Sequence, residues 1–275
     1  MKDKIAPRIY CIPATKAPIV AVFWRGPKNW SHVGRWVLDE RRYEPGAWFH
    51  GRLFRRRSDL SPDGRFLCYF AEKPGAAWEN GMYYVAVSKL PWLTALHAFP
   101  TCGTWTRGYC FSEPGEEEYS KDATLPIPYG LRPFDVVQFA HERRRGWEEA
   151  PDSPQRDPKN MWDESRNARM RKPQPGGAAV LCAERLDGTV DDVGFGTSVD
   201  DLRVGYSLEV EGDIQLLEDI QWADWNSDGH LLVATRSGKL QIRHLQGQHP
   251  QILFEEDLSL SEPSPAPAPA WAQQW

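Results

Sequence analysis

An all-β fold follows from three features of the 275-residue sequence: its apolar runs are short, 22 Gly and 23 Pro punctuate them throughout, and no apolar stripe persists at i, i+3, i+4, i+7. With 41% hydrophobic and 12% aromatic residues the chain carries enough apolar surface for a core. That surface is spread over many short strands joined by turns, with little room for long helices.

The turns come first, because one of them is written twice. Residues 59–70 read DLSPDGRFLCYF and residues 224–235 read DWNSDGHLLVAT, which aligns Asp59 with Asp224, Asp63 with Asp228 and Gly64 with Gly229. In each copy an Asp-Gly pair opens an apolar run, as expected of a tight turn entering a buried strand. Glycine reaches positive φ without a Cβ clash, and an aspartate side chain can accept from nearby backbone amides. These six residues are therefore expected to be structural. The second copy runs on into TRSGKLQI, where Ser237-Gly238 marks a further hairpin turn, and the first runs through AEKPGAAWENG into MYYVAVSKL.

Strand-like runs at 19–24, 66–70, 107–111, 135–139, 179–183 and 231–235 are spaced on average by about 42 residues, near the period of a four-stranded propeller blade. Tryptophan adds a second regularity, with Trp24 followed by Trp30, Phe70 by Trp78 and Phe139 by Trp147.

The stretches LSPDGRFLCYF and ADWNSDGHLLVATRSGKLQI resemble the blade signature of the TolB-like and WD-repeat propellers. The resemblance implies a single β-propeller of about five to six irregular four-stranded blades over residues 1–258. Residues 142–177 form a charged, Pro-rich insertion loop in that scheme, and 259–275 a disordered Pro/Ala-rich tail. In such families the Asp-Gly turn belongs to the scaffold, with no catalytic role. The chain departs from the pattern in lacking a clear Trp-Asp dipeptide after a structural histidine, and several blades lack the Asp-Gly turn. Closure of a ring would set RIYCIPA, near the N-terminus, beside LQIRHL.

Charge and motif content narrow the function. A net charge of −5 and a pI near 5.8 argue against general nucleic-acid binding, which draws on a basic footprint. Arg55-Arg56-Arg57 is expected on a solvated edge, and Glu116-Glu117-Glu118 in a solvated loop. No run of 18 apolar residues and no signal-peptide pattern is found, so neither a membrane span nor export is expected. Five dispersed cysteines suit buried thiols and a cytoplasmic location; a Cys102–Cys110 pair is a lesser alternative. Phosphate loops, nucleophile elbows and zinc motifs are missing, so no cofactor, metal or catalytic residue is assigned. The acidic pairs Asp191-Asp192 and Asp200-Asp201 suit surface turns better than a calcium site.

Interaction residues stand out instead. The segment 142–177 combines Arg143, Arg144 and Arg145 with Trp147 and Trp162, residue types favoured at interface hot spots. Trp271 and Trp275 are the large apolar side chains of an extended, PPII-leaning tail. These seven residues are the candidate partner-binding set. Two classes of function remain: a non-enzymatic scaffold or adaptor that grips a protein partner, which is preferred, and a hydrolase or lyase with carboxylates gathered at a channel mouth.

Overall fold

The computed structural model of the chain describes residues 7–26, 29–73, 82–101, 103, 107–112, 125–135, 137–155, 159, 167–186, 203–246 and 249–275. Among these residues the fold is all-β, with strands arranged in five sheets. In the first, β1 (Arg8–Pro13), β2 (Ile19–Arg25), β3 (Trp30–Val37) and β4 (Arg42–His50) lie side by side in chain order. In the second, β5 (Arg52–Leu53), β7 (Phe66–Glu72), β8 (Tyr83–Lys89) and β9 (His97–Pro100) follow the same order, and β6 (Asp59–Leu60) also pairs with β7. The third holds β10 (Tyr109–Ser112) and β11 (Gly130–Pro133). The fourth holds β12 (Glu148–Glu149), β13 (Arg169–Pro173), β14 (Val180–Arg185), β15 (Val204–Val210) and β16 (Asp213–Leu216). The fifth holds β17 (Ile220–Trp225), β18 (Leu231–Thr235), β19 (Lys239–Gln246) and β20 (His249–Asp257).

By compactness the chain divides into two units, one of Met1–Tyr10 with Val136–Ser261 and one of Cys11–Asp135 with Glu262–Trp275. In the second of these, the core gathers Phe54, Phe66, Cys68, Phe70, Val85 and Val87 from the second sheet and its flanks, with Phe111 and Leu131 from the third. The run FLCYFA of β7 is buried at every position, because both of its faces are covered. In the first unit, Met170, Leu181, Ala183, Tyr206 and Leu208 of the fourth sheet pack with Ile220, Ala223, Trp225, Leu231 and Val233 of the fifth. Strand β14 shows the one-sided alternative: Leu181, Ala183 and Arg185 are buried, while Val180, Cys182 and Glu184 are half exposed.

Five of the six strand-like runs coincide with strands, namely β2, β7, β10, β14 and β18. The sixth differs. Its residues 137–139 lead into the four-residue helix α1 (Ala140–Arg143), and Phe139 adopts a left-handed conformation (φ 57°) that no strand can continue through.

Three further expectations are corrected. Arg56 and Arg57 are buried, not solvated. They sit in the 3-10 turn Arg55–Arg57, where the Arg57 guanidinium lies 5.4 Å from the Phe54 ring centroid and 5.8 Å from that of Phe70. A flat, weakly hydrated guanidinium tolerates such a setting where an ammonium would not. The segment 142–177 is not all loop, since β12 and β13 lie within it and Met170 is fully buried. Finally, β19 already lies between β18 and β20, which leaves it no free edge for the first strand. In the unit that contains residues 7–10, that stretch is held instead by Gln221, whose side chain accepts from Ile9 N–H (3.0 Å) and donates to the Pro7 carbonyl (3.2 Å).

Candidate interaction surfaces

The residues of the two Asp-Gly turns hold backbone. Gly64 and Gly229 have φ of 73° and 75°. At the first turn Asp63 accepts from Ser61 Oγ (2.6 Å) and Arg65 N–H (3.1 Å). At the second the same work falls to Asn226, whose Oδ1 accepts from Asp228 N–H (3.1 Å) and His230 N–H (2.8 Å). Asp59 and Asp224 are both buried beneath these turns. Asp59 accepts from Phe111 N–H (3.0 Å), whereas Asp224 meets Lys172 Nζ at 2.6 Å. Burial pushes the Asp224 carboxyl up from its ordinary range, and the Lys172 charge beside it opposes that rise.

Six of the seven expected partner-binding residues are described, and their settings differ. Trp147 is 3% exposed and belongs to the core between the fourth and fifth sheets. Arg143 is paired with Glu149 at 2.6 Å and donates to the Gln138 carbonyl, so its charge is engaged at the end of α1. Arg144 and Arg145 are half-buried, and Arg145 donates to the His141 carbonyl (3.3 Å). Trp162 lies outside the described residues, as do the acidic pairs at 191–192 and 200–201, the acidic run at 116–118, and Cys102. Trp271 and Trp275 remain partly exposed on the second unit. Cys11, Cys68 and Cys110 are buried, Cys110 Sγ donates to the Arg132 carbonyl at 3.5 Å, and burial raises the thiols of Cys11 and Cys68.

Two surfaces were not anticipated. The first lies on the fourth sheet. Among the described residues strand β16 ends the strand order with β15 as its neighbour, and its four residues are all exposed. Pairing sets Gln215 opposite the buried Leu208, so Ile214 and Leu216 point to the other face, away from the core. They are 70% and 67% exposed. Val180 and Cys182 share that face by register through Glu209 and Ser207, and Leu186 continues it beyond β14. Glu184 and Arg169 pair across it at 3.2 Å. The face is mixed: Glu209 stands between Val180 and Ile214, Ser207 stands between Cys182 and Leu216, and the exposed apolar pair Ile214 and Leu216 lies at its edge. The Glu211-Gly212 turn that precedes β16 has positive φ at both residues, as a two-residue hairpin requires.

The second lies on the first sheet. Its register sets Trp30 opposite His50 and His32 opposite Trp48, with Trp24 beside His32. Ring centroids lie 4.9 Å apart for Trp30 and His50, 4.5 Å for His32 and Trp48, and 5.1 Å for Trp24 and Trp48. His32 Nε2 accepts from Gly46 N–H (3.2 Å), which places the ring proton on Nδ1, facing the Tyr43 hydroxyl at 3.4 Å. Burial lowers the His32 pKa from 6.5 to about 4, so the ring is neutral near pH 7. A lowered folded pKa means that the associated stability is present above 6.5 and is lost as pH falls toward about 4.

The signal for this aromatic face was in the sequence as a repeated Trp-x-His, once in WSH at 30–32 and once in WFH at 48–50. Alternation then fixes both residues of each pair to one face. The β16 edge had a weaker signal, since DIQL reads as an ordinary alternating strand whose apolar face is buried.

Among the described residues no group of three or more His, Cys, Asp or Glu is placed to hold a metal ion, and no helix is long and apolar enough to cross a membrane. No protein-family model matches the chain, and no curated protein matches it.

Proposed function

We propose that the protein is a non-enzymatic interaction scaffold that captures a protein partner, and that its up-and-down sheets are blades of a propeller of the TolB-like or WD-repeat kind. The Asp-Gly turn between β6 and β7 and its counterpart between β17 and β18 support the blade assignment, because each joins the same two strand positions of its sheet. The observation that carries the function is the β16 edge of the fourth sheet. Among the described residues β16 ends its sheet, and an edge with Ile214 and Leu216 displayed beside it offers main-chain hydrogen bonds for affinity and two apolar side chains for selectivity. Natural edges are usually blunted by charge or proline, and DIQL carries neither on its outward face. A partner that adds an extended segment to β16 satisfies both features at once.

Affinity capture with the full chain, beside the double variant Ile214→Lys/Leu216→Lys, tests this function. Both side chains are exposed, so the variant is expected to keep the wild-type melting temperature and to lose a partner that the wild type retains at stoichiometric level. A partner held equally well by the variant removes β16 as its site. Failure of the wild type to retain any partner overturns the scaffold function.

A further inference from the structure

Residues 259–275 were expected to be disordered, yet part of this segment is seated on the second sheet of its own unit. Residues 262–267, EPSPAP, are exposed. Beyond them Ala270–Ala272 forms a 3-10 turn, closed by Ala272 N–H donating to the Pro269 carbonyl (2.9 Å) and by the Gln273 side chain donating to the Ala268 carbonyl (2.6 Å). Three contacts fix the turn. Ala272 is 0% exposed, Lys89 Nζ donates to the Trp271 carbonyl at 3.0 Å, and the Trp275 ring lies 6.2 Å from that of Phe66. Phe66 also meets the Arg65 guanidinium, which sits 5.4 Å from its centroid and is tethered by Asp63 at 2.7 Å.

Such a contact set is that of a peptide ligand. A slot that admits a methyl group, a cation on a main-chain carbonyl and an aromatic edge read a short motif, and the approach is an extended Pro/Ala arm that has little conformational freedom to lose. A core element would instead be buried along its length, whereas Trp271 and Trp275 stay half exposed.

We infer that the surface around Phe66 and Lys89 is a peptide-recognition site for a Pro/Ala-rich segment carrying Trp-Ala-x-x-Trp, which residues 270–275 occupy in cis. The partner it fits is a protein that presents such a segment in trans. This site is independent of the β16 edge, and it stands or falls separately.

The arm governs access. A short tether that reaches the site gives an effective concentration of roughly 1 mM, so a site with an intrinsic Kd of ~0.1 mM is about 90% closed. A trans ligand of equal strength then binds the wild-type chain about tenfold more weakly than the open site.

The test uses the full chain and the synthetic peptide PAPAWAQQW, which reproduces residues 267–275. In the variant Ala272→Glu the slot cannot take the glutamate, so the arm is released while the chain keeps its length. Calorimetric titration is expected to show peptide binding to Ala272→Glu about tenfold tighter than to wild type. Adding Lys89→Met to that variant is expected to weaken binding several-fold, through loss of the contact to the Trp271 carbonyl. Three results overturn the inference: a folded Ala272→Glu chain that binds no peptide at about 1 mM, equal binding by wild type and variant, or an Ala272→Glu chain that no longer folds, which would make the segment part of the core.

Discussion

At the first Asp-Gly turn, Gly64 N–H donates to the Ser61 carbonyl at 2.9 Å; at the second, Gly229 N–H donates to the Asn226 carbonyl at 3.2 Å. The two turns share that bond but close differently, since Ser61 N–H donates to the Phe66 carbonyl and Asn226 N–H to the His230 carbonyl, and they are braced by Ser61 and Asp63 in one and Asn226 in the other. A larger difference lies beneath them. Asp59 is buried against a backbone amide of β10, and Asp224 against a lysine of β13. A turn is thus a local solution that tolerates substitution of its bracing group. A buried aspartate has its partners chosen by whichever strands pack beside it, a backbone amide of β10 among those of Asp59 and the Lys172 charge among those of Asp224.

The largest expected effect separates the two aspartates. Lys172→Met leaves the Asp224 carboxylate buried without its countercharge, at an expected cost of about 3–5 kcal/mol at neutral pH. Without the lysine the carboxyl pKa rises further. A group with a raised folded pKa contributes stability below its ordinary range and loses it as pH rises through the folded value, so the deficit of Lys172→Met shrinks on acidification. Urea midpoints for variant and wild type at neutral pH and at about pH 5 check both sign and size. A deficit that does not depend on pH would mean that the lysine contributes packing alone.

Next come the glycines, where the two turns are expected to behave alike. Valine at 64 or 229 adopts a left-handed φ at a cost of about 1–3 kcal/mol. Its Cβ also meets the Ile19 side chain in one case and the Pro175 carbonyl oxygen in the other. Both variants should melt below wild type, and an unchanged melting temperature for either would break the equivalence of the turns.

The smallest effect sharpens the comparison from the Asp59 side. Asp59→Ala removes the acceptor that Asp59 offers the buried Phe111 N–H and is expected to cost about 1–3 kcal/mol. Asp59→Asn keeps an acceptor oxygen and should cost less than Asp59→Ala. Equal losses for the two variants, by denaturant melts, would show that the bond to Phe111 contributes nothing.

The same division between local and long-range causes explains how much could be read in advance. The runs at 19–24, 66–70 and 231–235 were legible as strands because β-branched and aromatic residues between turn signals leave few other conformations. The run at 135–139 carried the same composition and led into α1 instead, since nothing in its own residues announced the left-handed Phe139. Among the interaction residues, Trp147 has the chemistry of an interface anchor and the position of a core residue. Side-chain type alone does not distinguish the two. The Trp-x-His face was legible in principle from alternation, because the period of a strand is fixed by its covalent geometry.

The sequence by itself determined the all-β class, the two Asp-Gly turns and the positions of several strands, β2, β7, β10, β14 and β18 among them, all of which rest on backbone preferences acting over a few residues. Only the tertiary structure decided that Arg57 lies over Phe54 and Phe70, that Ile214 and Leu216 of β16 are exposed, and that Ala272 is buried. Each depends on which surfaces meet across long sequence separations. Burial belongs to those meetings, and no local preference encodes it.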